Sequence, residues 1–254
     1  MPENVRIALL GDVHANLPAL ETVLSHAKNL GATAYWNIGD FVGYNAFPDQ
    51  VVKRMRKRGF SNIIGNYDRK VLKFPQRDKK WRKNKHPLKW RAFKWAYENL
   101  SPESMAYLAA LPEEMCVAAG EQSFLLVHGS PVSNEELLVK ATPQARLLAL
   151  KNIAERKYET EFAGIICGHS HQAFTRRVAN TLFINTGSVG RPGDGNPRTA
   201  YAILDILGER LQVSHYRLDY DIDKAAAANQ EAGLPGAFTE MILEGRDLDW
   251  ILDN

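Results

Sequence analysis

Cysteine is scarce in this sequence: Cys116 and Cys167 are its two cysteines in 254 residues. They lie far apart and outside any C-x-x-C spacing, so we expect ordinary buried thiols in a reducing compartment, with no disulfide framework. No uncharged apolar stretch approaches the roughly 18 residues of a membrane span. The N-terminus lacks the basic region and apolar run of a signal peptide. These absences predict a cytoplasmic protein with no membrane association.

Internal repeats and low-complexity linkers are also missing, and the composition is that of a globular chain, with 45% hydrophobic and 24% charged residues. The length fits one domain spanning residues 1–254 better than two. The net charge of +3 is small but unevenly distributed. Residues 69–94 hold twelve Lys or Arg and one acid, whereas residues 219–254 hold nine acids and two bases. This asymmetry indicates either an acidic or nucleic-acid partner or a solvated helix face.

Apolar runs alternate with helical patterns in the first third of the chain, which predicts parallel strands joined by crossover helices. The predicted strands are 5–10, 34–38 and 61–64, and the predicted helices are 18–29 and 48–58. Later strands are predicted at 123–127, 164–167 and 182–185, with a hairpin of 201–206 and 211–216 around Gly208-Glu209. The second half is expected to be more antiparallel than the first.

Residues 69–115 interrupt this rhythm and are predicted to form a mostly helical insertion rich in tryptophan, phenylalanine and tyrosine. Residues 74–76, Phe-Pro-Gln, read as a turn, and Ser101 reads as an N-cap followed by Pro102 at the first helical position. Asn16 is predicted to cap the first helix. Apolar residues in the acidic tail predict a terminal helix at about 237–252.

Five short polar motifs each follow an apolar strand: GDVHAN at 11–16, GDFVG at 39–43, GNYD at 65–68, VHGS at 127–130 and GHSH at 168–171. In open α/β sheets the carboxyl ends of strands form the ligand crevice. One Gly-Asp pair alone is often a turn that starts a helix. Four of the seven histidines fall in these motifs, however, and packing alone gives no reason for that. We therefore expect one cleft lined by Asp12, His14, Asp40, Asn66, His128, His169 and His171.

The ordered set GDxH, GD, GN, VHG and GHxH resembles the calcineurin-like metallophosphoesterase superfamily over about residues 5–206. The segment NTGSVGRPGDGNPRTAYAILD at 185–205 is similar to the end of its small bacterial and archaeal phosphodiesterase-like branch. The resemblance implies an α/β (α+β) fold: a four-layer αββα sandwich of two mixed β-sheets flanked by helices.

The resemblance also implies two metal ions. Asp12, His14, Asp40 and His171 would surround one ion, and Asp40, Asn66, His128 and His169 the other, with Asp40 bridging. Imidazole and oxygen donors without thiolate suit divalent transition metals, with Mn foremost and Fe, Zn, Co or Ni as alternatives. Such a pair would activate a hydroxide that attacks a phosphate ester. The implied function is metal-dependent phosphodiesterase or phosphatase activity on a phosphate-ester substrate.

One position departs from the superfamily pattern, because Tyr67 stands where many members carry a histidine that protonates the leaving group. Tyrosine is a weaker acid than imidazolium, and general acid catalysis contributes about 10²–10⁴-fold. Three interpretations remain open: Tyr67 donates to the leaving or a phosphate oxygen, Tyr67 only shapes the pocket, or Asp68 acts directly instead of capping the next segment. Arg191 either binds phosphate or pairs with Asp194.

Other functions fit the same motifs. A nuclease or nucleotide hydrolase would use the basic, aromatic insertion to hold a strand, although those aromatic residues equally suit a small core of their own. A protein serine/threonine phosphatase uses the same chemistry. A non-catalytic binding protein that kept the fold is disfavoured, because all seven candidate ligands are present. Substrate, native metal and oligomeric state stay open.

Overall fold

The chain forms ten strands and ten helices within residues 5–57 and 59–253, the part that the computed structural model describes. In chain order they are β1 (Val5–Leu10), α1 (Leu17–Asn29), β2 (Ala34–Asn37), α2 (Pro48–Met55), β3 (Phe60–Asn62), α3 (Asn66–Leu72), α4 (Phe74–Asn84), α5 (Pro87–Glu98), α6 (Pro102–Ala110), β4 (Glu114–Ala119), β5 (Gln122–Val127), α7 (Gln144–Tyr158), β6 (Gly164–Cys167), β7 (Phe174–Val178), β8 (Thr181–Asn185), β9 (Thr199–Leu207), β10 (Arg210–Leu218), α8 (Ile222–Glu231), α9 (Gly236–Glu244) and α10 (Leu248–Asp253).

Two mixed five-stranded sheets form the centre of the fold. Their strand orders are β10-β9-β1-β2-β3 and β4-β5-β6-β8-β7. The strands β1, β2 and β3 pair in parallel, as do β5, β6 and β8. The remaining pairs, which involve β4, β7, β9 and β10, are antiparallel. The predicted mixture of parallel and antiparallel pairing is therefore confirmed.

Alternate residues of β1 face different layers of the structure. Leu9 lies in the core between the sheets, together with Phe124 and Ile166 of the second sheet. Leu10 packs in the outer core with Leu20 of α1. A third core joins the second sheet to α7. Both sheets are thus covered on both faces, which explains their continuous apolar runs and confirms the αββα sandwich. None of the described helices has the length and apolar character needed to cross a membrane.

The predicted strands and hairpin match the structure to within three residues at each end. The helix predicted at 48–58 ends at Met55 as α2, and its predicted last residue, Arg58, lies outside the described residues. Asn16 caps α1, since its side chain accepts a hydrogen bond from the Ala19 N–H at 3.2 Å. The strands β4 and β7, both at sheet edges, are absent from the prediction. The strand β7 has a polar middle, Thr-Arg-Arg, and β4 is an apolar run, residues 115–119, that the prediction did not assign to a strand.

Helices α3 to α6 occupy the predicted insertion, but the helical segment already begins at Asn66. The turn predicted at 74–76 is wrong. These residues open α4, and Pro75 sits in the first turn, where a missing N–H breaks no helical hydrogen bond. Ser101 caps α6 as predicted and accepts from the Ser104 N–H at 3.3 Å.

The tail contains two helices instead of the single one predicted at 237–252. Gly245 has a left-handed φ of 62° and ends α9, and α10 begins three residues later. The expectation for cysteine holds for Cys167, which is buried, and is wrong for Cys116, which is exposed on the edge strand β4.

Candidate metal centre

The polar motifs that follow β1, β2, β3, β5 and β6 meet at one end of the sandwich. Backbone hydrogen bonds tie their loops together. The Asp12 N–H donates to the Gly39 carbonyl at 3.0 Å, and the His14 N–H donates to the Asp40 carbonyl at 2.9 Å. The Gly168 N–H reaches the carbonyl of His128 in the same way at 2.9 Å. The strand-end loops therefore form one connected frame around the cleft.

A first group of side chains that could hold a metal ion consists of Asp12, His14 and His171, whose donor atoms all lie within 4.8 Å of one another. The Nε2 atom of His171 is 3.3 Å from Asp12 Oδ1. The Nε2 atoms of His14 and His171 are also 3.3 Å apart. Three donors from two different strand ends thus point at a common position.

A second group consists of Asp40, His128 and His169, within the same 4.8 Å limit. The Nε2 atom of His128 is 3.4 Å from Asp40 Oδ2 and 3.1 Å from the amide oxygen of Asn66. The rings of His128 and His169 lie 5.0 Å apart between centroids. Asn66 therefore contributes an oxygen to this group.

Asp40 lies between the two groups. Its Oδ2 atom is 3.4 Å from Nε2 of His128 and 3.7 Å from Nε2 of His14, so one carboxylate faces both sets of donors. Its other oxygen, Oδ1, accepts a hydrogen bond from the Tyr67 N–H at 2.8 Å. That bond orients the carboxylate in its position between the groups.

Backbone carbonyl groups orient three of the four histidines, because a carbonyl oxygen can only accept and Nδ1 must then carry the hydrogen. The pairs are His14 with Val42 at 3.3 Å, His128 with Ile38 at 2.8 Å and His171 with Arg191 at 2.6 Å. Each neutral ring consequently directs the lone pair of Nε2 into the cleft, the tautomer that a metal ligand requires.

Burial and the neighbouring carboxylates shift the pKa values of these groups in a consistent way. Burial lowers the pKa of His14 to about 3, which keeps its ring neutral. Burial also disfavours a charged His128, but the nearby Asp40 carboxylate outweighs that effect and raises the His128 pKa to about 9. The added proton can only sit on Nε2, which faces Asp40. The site thus favours a positive charge at that place, and a metal ion would supply it.

Two further observations test whether these residues fit metal ions. Asp12 Oδ1 is buried and has no hydrogen-bond donor among the described residues. The facing Nε2 atoms of His14 and His171 would bring two lone pairs together unless a cation lies near them. An unpaired buried carboxylate oxygen and converging imidazole lone pairs suit divalent transition ions. The residues present therefore fit divalent metal ions.

Five of the seven candidate ligands have left-handed backbone conformations, which are uncommon for residues other than glycine. They are Asp12, His14, Asp40, His169 and His171, with φ values of 51°, 46°, 55°, 60° and 57°. Such conformations cost about 1–3 kcal/mol each and cluster at functional sites. These strained backbone conformations mark the site in the structure, and they could not be predicted from the sequence motifs.

A cleft of about 430 Å³ opens beside the two groups and is lined by Asp40, His169, His171, Tyr44, Tyr67 and Arg191, among others. The hydroxyl groups of Tyr44 and Tyr67 are 2.6 Å apart. Burial, and then the neighbouring Tyr44, raise the pKa of Tyr67 well above its usual value, so Tyr67 keeps its proton at neutral pH. Tyr44 was not among the predicted site residues, although it directly follows the GDFVG motif.

Arg191 lines the same cleft with its guanidinium carbon 4.2 Å from the centre of the Tyr44 ring. Its Nε atom is buried and has no hydrogen-bond acceptor among the described residues. Asp194, the alternative partner considered from the sequence, pairs with Arg217 instead. Arg191 can therefore offer N–H donors to a bound anion.

Asp68 is fully buried, and both of its carboxylate oxygens accept backbone N–H groups. Oδ2 accepts from Asp40 at 3.0 Å and from Gly65 at 2.9 Å, and Oδ1 accepts from Val42 at 3.2 Å. Burial and the Asp40 carboxylate raise the pKa of Asp68 to about 7. These contacts match the capping interpretation of Asp68 and tie α3 to the loop that carries Asp40.

Comparisons with known proteins identify the family of this chain. The family model of the calcineurin-like phosphoesterase superfamily domain matches residues 5–209. An uncharacterized protein of Methanocaldococcus jannaschii is 28% identical over 255 residues, which cover 94% of this chain and 98% of that protein.

Two solved structures are similar over nearly the whole length. A metallophosphoesterase from Sphaerobacter thermophilus is 29% identical with a TM-score of 0.74, covering 96% of this chain and 100% of that one. A hypothetical protein from Pyrococcus horikoshii is 19% identical with a TM-score of 0.84, covering 95% and 98%; at that identity the likeness shows the fold alone. With the family match over residues 5–209, the chain belongs to the calcineurin-like phosphoesterase superfamily.

Proposed function

We propose that this protein is a phosphoesterase that hydrolyses phosphodiesters with two divalent metal ions. The observation that supports this most directly is the position of Asp40, whose Oδ2 faces His128 at 3.4 Å and His14 at 3.7 Å. In this proposal Asp12, His14, Asp40 and His171 hold one ion, and Asp40, Asn66, His128 and His169 hold the other. When bound, such a pair withdraws charge from phosphoryl oxygens and lowers the pKa of a water molecule.

The charge of the centre suits a phosphate substrate. The carboxylates of Asp12 and Asp40 offset only part of the positive charge of two divalent ions, because the remaining candidate ligands are neutral when they bind metal. The loaded centre therefore keeps an excess of positive charge that attracts an anion. Manganese is the first ion to test, and iron, zinc, cobalt and nickel share its preference for these donors.

Two cleft residues are proposed to contact the substrate. Arg191 binds a phosphate oxygen through its guanidinium N–H groups, and stacking on Tyr44 limits its rotamers. Tyr67 donates its hydroxyl hydrogen to the leaving or a phosphate oxygen, because burial keeps it protonated. Asp68 is proposed to position Asp40 and Gly65 through its hydrogen bonds, without touching the substrate.

The insertion and the tail are proposed to belong to the same domain as the sandwich. Lys89 of α5 pairs with Asp249 of α10 at 2.7 Å, and both residues line the cleft beside the candidate centre. Both segments therefore limit the shape of the leaving group that the cleft accepts.

The test is an Asp40→Asn variant purified beside the wild type, with metal content measured by mass spectrometry and hydrolysis of bis-p-nitrophenyl phosphate measured with added Mn²⁺. We expect the wild type to bind two ions per chain and the variant to lose hydrolysis by at least about 10²-fold. An Asp205→Asn variant on β9 is the control, because that carboxylate pairs with Arg6 in the first sheet. Full activity of Asp40→Asn would refute the shared-ligand proposal.

A further inference from the structure

A second groove, separate from the cleft, borders the candidate metal centre. It has a volume of about 300 Å³, and Asn66, three cations (Arg69, Lys70 and Lys73) and one acid (Glu135) are among the residues that line it. Asn66 contacts His128 of the second metal group. The Nζ atom of Lys70 lies 5.5 Å from the centre of the Tyr67 ring, and that ring lines the cleft on the other side. The groove and the cleft thus lie on two sides of the N-terminus of α3.

The basic charge of the groove continues along α4. Lys73, Arg77 and Lys80 follow one another at i, i+4 and i+7, which places them on one face over about 10 Å of helix. All three are exposed. Exposed cations also occupy the adjacent positions Lys79, Arg82 and Lys83.

Within residues 5–57 and 59–253, no carboxylate forms an ion pair with any of these six cations, although many such pairs occur elsewhere in the described part of the protein. The single acid of α4, Asp78, accepts a hydrogen bond from Trp90 Nε1 at 2.8 Å and belongs to the half-buried side of the helix. Arg69 and Lys70 are offset by Glu113 and Glu135. The uncompensated charge therefore begins at Lys73 and extends away from the centre.

The aromatic side chains of the insertion are already engaged with one another. Trp81 packs on Phe93 with 5.4 Å between ring centres, and Phe74 contacts Trp90 at 6.2 Å. Phe74 and Phe93 belong to the core beneath the helices, and Trp81 and Trp90 are half-buried against it. The exposed face of α4 consequently offers charge without rings on which bases could stack, so its ligand would be recognised through phosphates and not through base identity.

We propose that this basic path, from Lys80 through Arg77 and Lys73 to the groove at Asn66, binds a single strand of nucleic acid and leads one of its phosphodiesters to the metal centre. The inference rests on the proposed function, since it names the substrate of the same site. A polyanion with regularly spaced phosphates matches both parts of the surface: the outer cations neutralise successive phosphates while one phosphodiester reaches the ions. The bond broken is a P–O ester bond, water supplies the oxygen added to phosphorus, and its proton leaves with the alcohol.

The experiment uses the Mn²⁺-loaded protein and a fluorescent oligothymidylate about 16 nucleotides long, near the upper range of a single-strand binding site. The test variant is Lys73→Glu/Arg77→Glu. The control variant is Lys28→Glu/Arg177→Glu, which changes the net charge equally at exposed positions on α1 and β7. Binding is measured between about 50 and 200 mM salt. Hydrolysis of the oligonucleotide is compared with that of bis-p-nitrophenyl phosphate.

We expect the test variant to bind the strand on the order of ten-fold or more weakly, with a log–log salt slope shallower by about 1.4, the value for two lost phosphate contacts on a single strand. The ratio of kcat/KM for oligonucleotide to that for the small diester should fall by a similar factor, and the control should keep the wild-type ratio. Equal strand binding by test and control variants would overturn the inference, as would binding of anionic phospholipid vesicles without binding of the strand.

The small diester separates this inference from the proposed function. Hydrolysis of bis-p-nitrophenyl phosphate without any strand binding would refute the nucleic-acid inference and leave the phosphoesterase proposal intact. Absence of hydrolysis on both substrates would refute the proposed function, and the binding measurement would still decide whether α4 holds the strand.

Discussion

Asp68 offers the sharpest test of how the site is built, because its carboxylate accepts three buried backbone N–H groups, from Asp40, Val42 and Gly65. An Asp68→Ala change leaves all three donors unpaired. At about 1–3 kcal/mol for each buried unsatisfied donor, the loss is about 3–9 kcal/mol. A domain has only about 5–15 kcal/mol in total, so the alanine variant risks unfolding.

Asp68→Asn is therefore the informative variant. The amide oxygen can replace Oδ2 and keep the bonds from Asp40 and Gly65, whereas the amide N–H₂ would face the N–H of Val42. One lost hydrogen bond and one unsatisfied donor predict a loss of about 1–3 kcal/mol in the free energy of unfolding. The loop that carries Asp40 should shift with it, so we also expect weaker Mn²⁺ binding. Urea unfolding of the metal-free protein and calorimetric titration with Mn²⁺ measure the two effects.

Asp49→Asn is the matched control. The Asp49 carboxylate accepts from the N–H and hydroxyl groups of Ser101 at 2.9 and 2.7 Å and ties α2 to the cap of α6. The amide loses the ion pair between Asp49 Oδ2 and Lys53 Nζ at 2.6 Å, so the variant should lower stability slightly without changing Mn²⁺ affinity. If Asp68→Asn keeps wild-type stability and metal affinity yet stops hydrolysis, the positioning argument is wrong and Asp68 acts directly on the substrate.

Three further changes probe the cleft. Tyr67→Phe should slow hydrolysis of alkyl esters by about 10²-fold and nitrophenyl esters far less, because the better leaving group needs no proton; equal losses on both would contradict proton donation. Arg191→Ala should raise KM by about ten-fold, the loss of one charge-assisted contact, and an unchanged KM would remove Arg191 from the substrate site. Gly65→Ala should abolish tight Mn²⁺ binding, because its Cβ would overlap the Asp40 carboxylate, whereas Gly236→Ala, in open space on α9, should bind Mn²⁺ normally.

The parallel strands were predictable because they are continuous apolar runs that end in conspicuous polar motifs, whereas the sandwich of two sheets was implied by the family resemblance. The prediction missed strands that are buried on only part of their surface, namely the edge strands β4 and β7. The tail helix was predicted as one piece although it contains Gly245, a residue type that often ends helices in a left-handed conformation, as it does here. Proline at 75 was misread because a helix start and a turn share the same residue types.

The candidate site was predictable in composition but not in its supporting contacts. The motifs named the residues that the structure brings into two groups. They could not indicate that carbonyl groups orient three of the histidines, since those contacts join residues 20, 28 and 90 positions apart. The role of Tyr44 was hidden for a similar reason: it acts through the hydroxyl of Tyr67 and the guanidinium of Arg191.

The left-handed backbone of five candidate ligands has a thermodynamic consequence. Hydrogen bonds between the backbones of neighbouring loops hold these conformations, as in the pair formed by the His14 N–H and the Asp40 carbonyl. The ligand backbones are therefore ordered during folding, and metal binding leaves little chain to order afterwards. We expect a small heat-capacity change on titration with Mn²⁺ and an unaltered far-UV circular dichroism spectrum. In this respect the centre is preorganised: its affinity reflects ligand bonds formed and water released, with little opposing conformational entropy.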